Sequence, residues 1–84
     1  MRERLQAMLD AGRDDALLRF GLGNVCLQTG DAEAAAAHLA AATRHDAGYS
    51  AAWKLLGKAL LALGRESDAE VAWRAGLDAA TRRG

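Results

Sequence analysis

The clearest chemistry in this 84-residue chain belongs to two lysines four positions apart, Lys54 and Lys58. On a helix that spacing puts both ammonium groups on one face. They repel there by only roughly 0.2–0.5 kcal/mol, and each is a strong point donor to a carboxylate. Asn24 adds an amide that can both donate to and accept from a peptide backbone. Cys26, His38 and His45 are metal-ligating types, but they show no paired zinc spacing and Cys26 falls on an apolar stripe, so no metal is expected. His45 fits more simply as a cation near a helix C-terminus. There is no Ser-His-Asp or Cys-His constellation with a third orienting group, no phosphate-cradling glycine loop after a strand and no buried carboxylate pair. Neither an enzyme nor a cofactor is therefore expected.

Composition narrows the setting for these groups. Alanine and leucine make up about two fifths of the residues, proline and isoleucine are absent, and aromatic residues are few, which favours helix nearly everywhere and leaves too few strand formers for a sheet. A chain this short is one domain, 1–84. Eleven acidic residues balance eleven basic ones, so the charge excess of a dedicated nucleic-acid or membrane-surface binder is missing. The one cysteine implies no disulfide and fits a reducing compartment. No apolar run reaches the ~20 residues that span a bilayer, and the N-terminus is too charged for a signal peptide. A cytoplasmic protein that binds neither nucleic acid nor membrane is expected.

Five helices should position the lysines. Leu5, Met8 and Leu9 lie at helical spacing in residues 2–12, which Gly12 ends. A second helix starts near Asp15, whose carboxylate can cap it, and carries Leu18, Leu22, Val25, Cys26 and Thr29 on one face before Gly30. Asp31 is placed to cap a third, alanine-rich helix over 32–45, where the alanines reflect either plain helix propensity or close approach of neighbouring backbones. A fourth helix spans about 51–63. Gly64 separates it from a fifth over about 66–81, weakly capped because Arg65 stands where an aspartate would serve better.

Shifting the chain by 34 residues aligns Leu22 with Leu56, Gly23 with Gly57, Leu27 with Leu61, Gly30 with Gly64, Ala35 with Ala69 and Ala41 with Ala75. The windows are 16–49 and 50–83. A mid-helix glycine costs about 1 kcal/mol relative to alanine. Its recurrence at one offset calls for a packing reason, and the simplest is Gly23 against Ala35 and Gly57 against Ala69 across antiparallel helices.

These residues resemble the tetratricopeptide repeat family, in which Trp and Leu-Gly on a first helix are followed by Ala and Phe on a second. Trp53, Leu56, Gly57, Leu60, Ala69 and Trp73 match it well; Arg19, Leu22, Gly23, Cys26, Ala35 and Leu39 match more loosely. The family's closing proline is replaced by Ala47 and Thr81. Leu5 and Met8 align with Leu39 and Ala42, so residues 1–13 read as the second half of a truncated repeat. The resemblance implies an all-α stack of antiparallel helix hairpins coiled into a right-handed superhelix, with the first helix of each repeat lining a concave surface.

On that implied surface lie Leu17, Phe20, Asn24 and Leu27, with Gln28 beside them, and Ala51, Lys54, Lys58 and Leu61 at the same offsets. Two roles fit these stripes. They form a groove for a peptide or partner protein with acidic side chains or a free C-terminal carboxylate, or they are a solvated face bearing two lysines by chance. The family's full carboxylate clamp spreads Lys, Asn and Arg over three repeats, and two repeats cannot complete it. Phe20 is either a binding anchor or a packing contact with the first helix. Both tryptophans are expected in the core. An alternative to peptide binding is a structural unit that forms a homodimer through helix 5, where Val71, Trp73 and Leu77 would lack a covering helix.

Overall fold

The computed structural model describes residues 1–83, which form five α-helices: α1 (Arg2–Asp10), α2 (Ala16–Gln28), α3 (Ala32–His45), α4 (Ser50–Ala62) and α5 (Glu66–Arg83). Their starts follow local chemistry. Asp15 accepts from the Leu18 amide at 2.8 Å and Asp31 from the Ala34 amide at 3.2 Å, each satisfying a donor that the first helical turn leaves free. Arg65, a poor cap, instead pairs with Asp68 at 2.7 Å in the first turn of α5. Gly30 and Gly64 close α2 and α4 with φ of 81° and 77°, a left-handed backbone that glycine adopts without a Cβ penalty.

Consecutive helices pack side by side in antiparallel fashion, and α2 also reaches α4 directly. Among the described residues α1 does not meet α3, nor α3 meet α5. The layer holding α2 and α4 is therefore the tighter one, and the stack bends toward it. The result is a slab of 33 × 29 × 15 Å.

The core runs through the slab from Leu18, Leu22, Val25 and Cys26 of α2 to Ala69, Ala72 and Ala79 of α5. Leu22, Leu39 and Cys26 are its largest fully enclosed side chains, and each leucine contributes about 1.5–3 kcal/mol by leaving water. Thr29, expected on this face, is exposed and turns its hydroxyl back to the Val25 carbonyl. The central helix, α3, is held between α2 and α4, and it buries Ala35, Ala36, Ala41 and Ala42. Close approach thus accounts for these four, while the exposed Ala37 fits plain helix propensity.

The nearest neighbours of the glycines are large side chains, which the expected pairing with alanines did not include. A methyl group at Gly23 would come within 2.6 Å of Leu39 Cδ2, and one at Gly57 within 2.7 Å of the Trp73 ring. Each glycine lies beneath the large side chain of the partner helix, and the small Ala35 and Ala69 are fully buried. The reason is volume: the bulkiest residue of the second helix needs a hollow, and only a missing side chain provides one. The tryptophans are less enclosed than expected, although Trp53 does pack against the core. Trp53 is half-buried and donates its indole N–H to the Ala47 carbonyl at 2.8 Å. Trp73 is 39% exposed and donates to the Lys54 carbonyl at 3.3 Å.

The first repeat has Arg19 where the second has Trp53, and both reach back to the turn before their helix. Arg19 forks onto Asp14 at 2.8 and 3.0 Å and also donates to His38 Nδ1 at 3.1 Å. His45 Nε2 donates to the same Asp14 carboxylate at 2.9 Å. The cluster fastens the start of α2 to α3. Arg19 chiefly, and His45 after burial's opposing effect, hold Asp14 far below the usual carboxylate range. Burial first, then the charges of Arg19 and Arg2, lower His38 from its ordinary value of 6.5.

Two outcomes are expected. Gly23→Ala should cost roughly 1–2 kcal/mol in urea unfolding, because Leu39 is enclosed and cannot yield, which outweighs the helix-propensity gain. Gly57→Ala should cost less and instead shift tryptophan fluorescence, since Trp73 can swing toward solvent; equal costs would contradict this packing. For pH, the unfolded chain protonates His38 more readily than the folded chain does. The stability it contributes is present above about pH 6.5 and lost as pH falls through the lower folded-state value. The urea midpoint should therefore fall between pH 7 and 5, and His38→Gln should flatten that fall.

Candidate functional site

Helices α2 and α4 form the inner layer, and their charge is one-sided. Neither contains an aspartate or glutamate, whereas together they carry Arg19, Lys54 and Lys58. The chain's eleven carboxylates all lie on α1, on the turns, or on α3 and α5. The Arg19 charge is taken up by Asp14, and most other arginines sit in ion pairs on the outer faces, such as Arg74–Glu70 at 2.7 Å and Arg83–Asp46 at 2.6 Å. Among the described residues Lys54 and Lys58 have no such partner. Both are exposed, one turn apart on α4.

The residues expected to share the groove fall into three places. Lys54, Lys58 and Leu61, which is 48% exposed, stand on the free face of α4 together with Ala51. Phe20 and Leu27 are half-buried and pack against the core. Leu17, 65% exposed, and Asn24 turn toward α1. Phe20 packs against the core and has an aromatic partner. It stacks on Tyr49, the residue before α4, with ring centroids 4.9 Å apart and planes inclined by 26°. This aromatic pair bridges the start of α4 to α2, a geometry worth about 0.5–1.5 kcal/mol beyond area burial. Partial burial, with the nearby Asp46 charge, pushes the Tyr49 hydroxyl above its ordinary value.

Leu17, Gly21, Asn24, Val25 and Gln28 of α2 form one wall of a mostly apolar groove of about 440 Å³, and Met1, Leu5 and Met8 at α1 form the other. Nothing in the spacing of these residues announces the groove, because it depends on where α1 docks. Arg2 sets that docking through its 3.2 Å bond to Asp31, the cap of α3. Asp31 is held below the usual carboxylate range first by the Ala34 amide and then by Arg2. Tyr49 likewise carried no sequence signal, lying 29 positions from Phe20.

Cys26 is enclosed, and burial raises its thiol above the ordinary value. Among the described residues no three His, Cys, Asp or Glu side chains come together to hold a metal ion, and no helix is long and apolar enough to cross a membrane.

The architecture agrees with what is known of other proteins. The tetratricopeptide repeat profile matches residues 2–58 and again 27–82. A TPR repeat-containing protein of Pseudomonas aeruginosa is 52% identical over all 84 residues, which span 80% of its length. No solved structure matches the chain. With the helix hairpins, the glycine contacts at a 34-residue offset and these matches together, the chain belongs to the tetratricopeptide repeat family.

Proposed function

We propose that this protein is an interaction module that holds a peptide, or an extended segment of a partner protein, on the surface made by α2 and α4. Repeats of this family generally mediate protein–protein interaction. The observation that carries the finer reading is the one-sided charge of that layer: two exposed lysines without carboxylate partners on helices that contain no acid. The segment that complements it carries acidic side chains or its own C-terminal carboxylate. Lys54 and Lys58 bind the charge, and Asn24 hydrogen-bonds backbone. Leu17, Phe20, Leu27 and Leu61 supply apolar contact. Binding rather than catalysis is the role, without metal, cofactor or nucleic acid. Cytoplasmic residence is part of the same reading, supported by the free, buried thiol of Cys26.

A second reading is favoured by α5, where Val71 and Leu77 are 65% and 67% exposed near Trp73. An apolar stripe of this kind would be covered in a homodimer through α5, in which case the protein is a structural unit without a separate ligand.

Lys54→Glu combined with Lys58→Glu should leave the helical circular dichroism unchanged and weaken calorimetric binding of partners identified by affinity capture and mass spectrometry. The expected loss is at least about tenfold, since charge-assisted hydrogen bonds contribute roughly 1.5–3 kcal/mol each. Unaltered affinity would remove the α4 lysines from the site. Sedimentation velocity over a wide concentration range separates the second reading: a monomer throughout excludes it, and dimerisation abolished by Leu77→Asp supports it.

A further inference from the structure

We propose that the groove between α1 and α2 is an anchor pocket for one large apolar side chain of the same acidic segment, so that the ligand is read at two points a set distance apart. This rests on the proposed peptide-binding surface of α2 and α4.

Three observations lead to it. First, the groove opens onto the inner layer. Leu17 and Asn24 line the groove and share α2, at spacings of three and four, with Phe20 and Leu27, so a chain lying across α2 reaches both the groove and the side of α2 that meets α4. Second, its lining suits a single flexible apolar guest. Met1, Leu5 and Met8 face Leu17 and Val25, and the methionine thioethers adapt to side chains of different shape. Gly21 keeps the floor low, with Leu5 Cδ1 at 3.5 Å from where its missing methyl would lie. Third, the charges agree along the whole path. Arg4, which has no ion-pair partner among the described residues, lies with Met1, Leu5 and Met8 on the far edge of α1. The near wall, α2, has no carboxylate, and Lys54 and Lys58 wait beyond it on α4. An acidic segment thus meets cations at both ends of its path and an apolar cleft near one of them.

The spacing follows from helix dimensions. Neighbouring helices lie about 8–10 Å apart, and the anchor groove is on the side of α2 away from α4. The distance from anchor to lysines is therefore roughly 10–15 Å, which an extended chain at about 3.3 Å per residue covers in about three to five residues. The partner is an extended peptide carrying one leucine-sized or larger apolar side chain and, three to five residues away, an acidic pair.

The test uses fluorescent glycine-serine peptides bearing two adjacent glutamates and a single leucine placed zero to eight residues from them, titrated with the full chain by anisotropy. Affinity should peak at a separation of three to five and exceed that of the leucine-free peptide by at least about tenfold, the effect of burying one leucine. Leu17→Ser with Met8→Ser should erase that gain while keeping the dependence on the glutamates. Both residues are exposed, and circular dichroism confirms that the variant folds. Binding that needs the glutamates, Lys54 and Lys58 but ignores the leucine overturns the anchor and leaves the α2–α4 surface standing. Leucine-dependent binding that survives Lys54→Glu with Lys58→Glu overturns the claim of one shared ligand. Absence of binding by every peptide at millimolar protein overturns both. Loss of self-association in the Leu17→Ser, Met8→Ser variant would assign the groove to a second copy and overturn the proposal.

Discussion

The close approach of the paired helices rests on one contact made twice, a glycine of the first helix lying beneath a large side chain of the second. Leu39 over Gly23 and Trp73 over Gly57 set the separation within each hairpin. The buried alanines of α3 and α5 then fill the remaining space. A chain with one proper core of this size has little stability to spare. The hairpin contacts set how closely α3 lies on α2 and α5 on α4, and the packing of α4 on α3 and α2 then joins the two hairpins. Reaching back from the first helix to its preceding turn is the second recurring device. Arg19 does it by charge and Trp53 by an indole N–H, so residue type is free at that place as long as a donor reaches the turn.

The molecule divides its charges by task. Ion pairs hold the outer and terminal parts together, including Arg2 to Asp31 and Arg83 to Asp46. Exposed pairs of this kind contribute little singly, but they occupy charges that would otherwise compete for a ligand. The lysines of α4 are spared from that work. A net charge of zero over the chain thus conceals a positive inner layer and a compensating outer one, and at contact distance it is the local charge and not the net charge that acts.

Much of the fold was legible from local rules. The extent of α3, the caps Asp15 and Asp31 and the glycine turns at Gly30 and Gly64 all follow from chemistry within a few residues of each boundary. Helical spacing likewise identified Lys54, Lys58 and Leu61 as outward-facing on one helix. What failed was the choice of partner across helices. Periodicity says which face a residue occupies but not which residue it meets, so neither the Gly23–Leu39 contact nor the Phe20–Tyr49 stack was anticipated. The division of the α2 stripe, with Leu17 and Asn24 turned to α1 and Phe20 and Leu27 turned inward, depends on the docking of a helix whose contacts are entirely non-local in origin.

That first helix has a further consequence. It buries no residue fully, touches no helix but α2 among the described residues, and is fastened by a half-exposed ion pair from Arg2. A segment held so lightly detaches at a small fraction of the free energy of global unfolding, and its amide protons exchange early. Any occupant of the cleft beside it binds the docked helix and not the detached one, so occupancy and docking are linked by mass action. A guest in the cleft would thus order the wall that holds it.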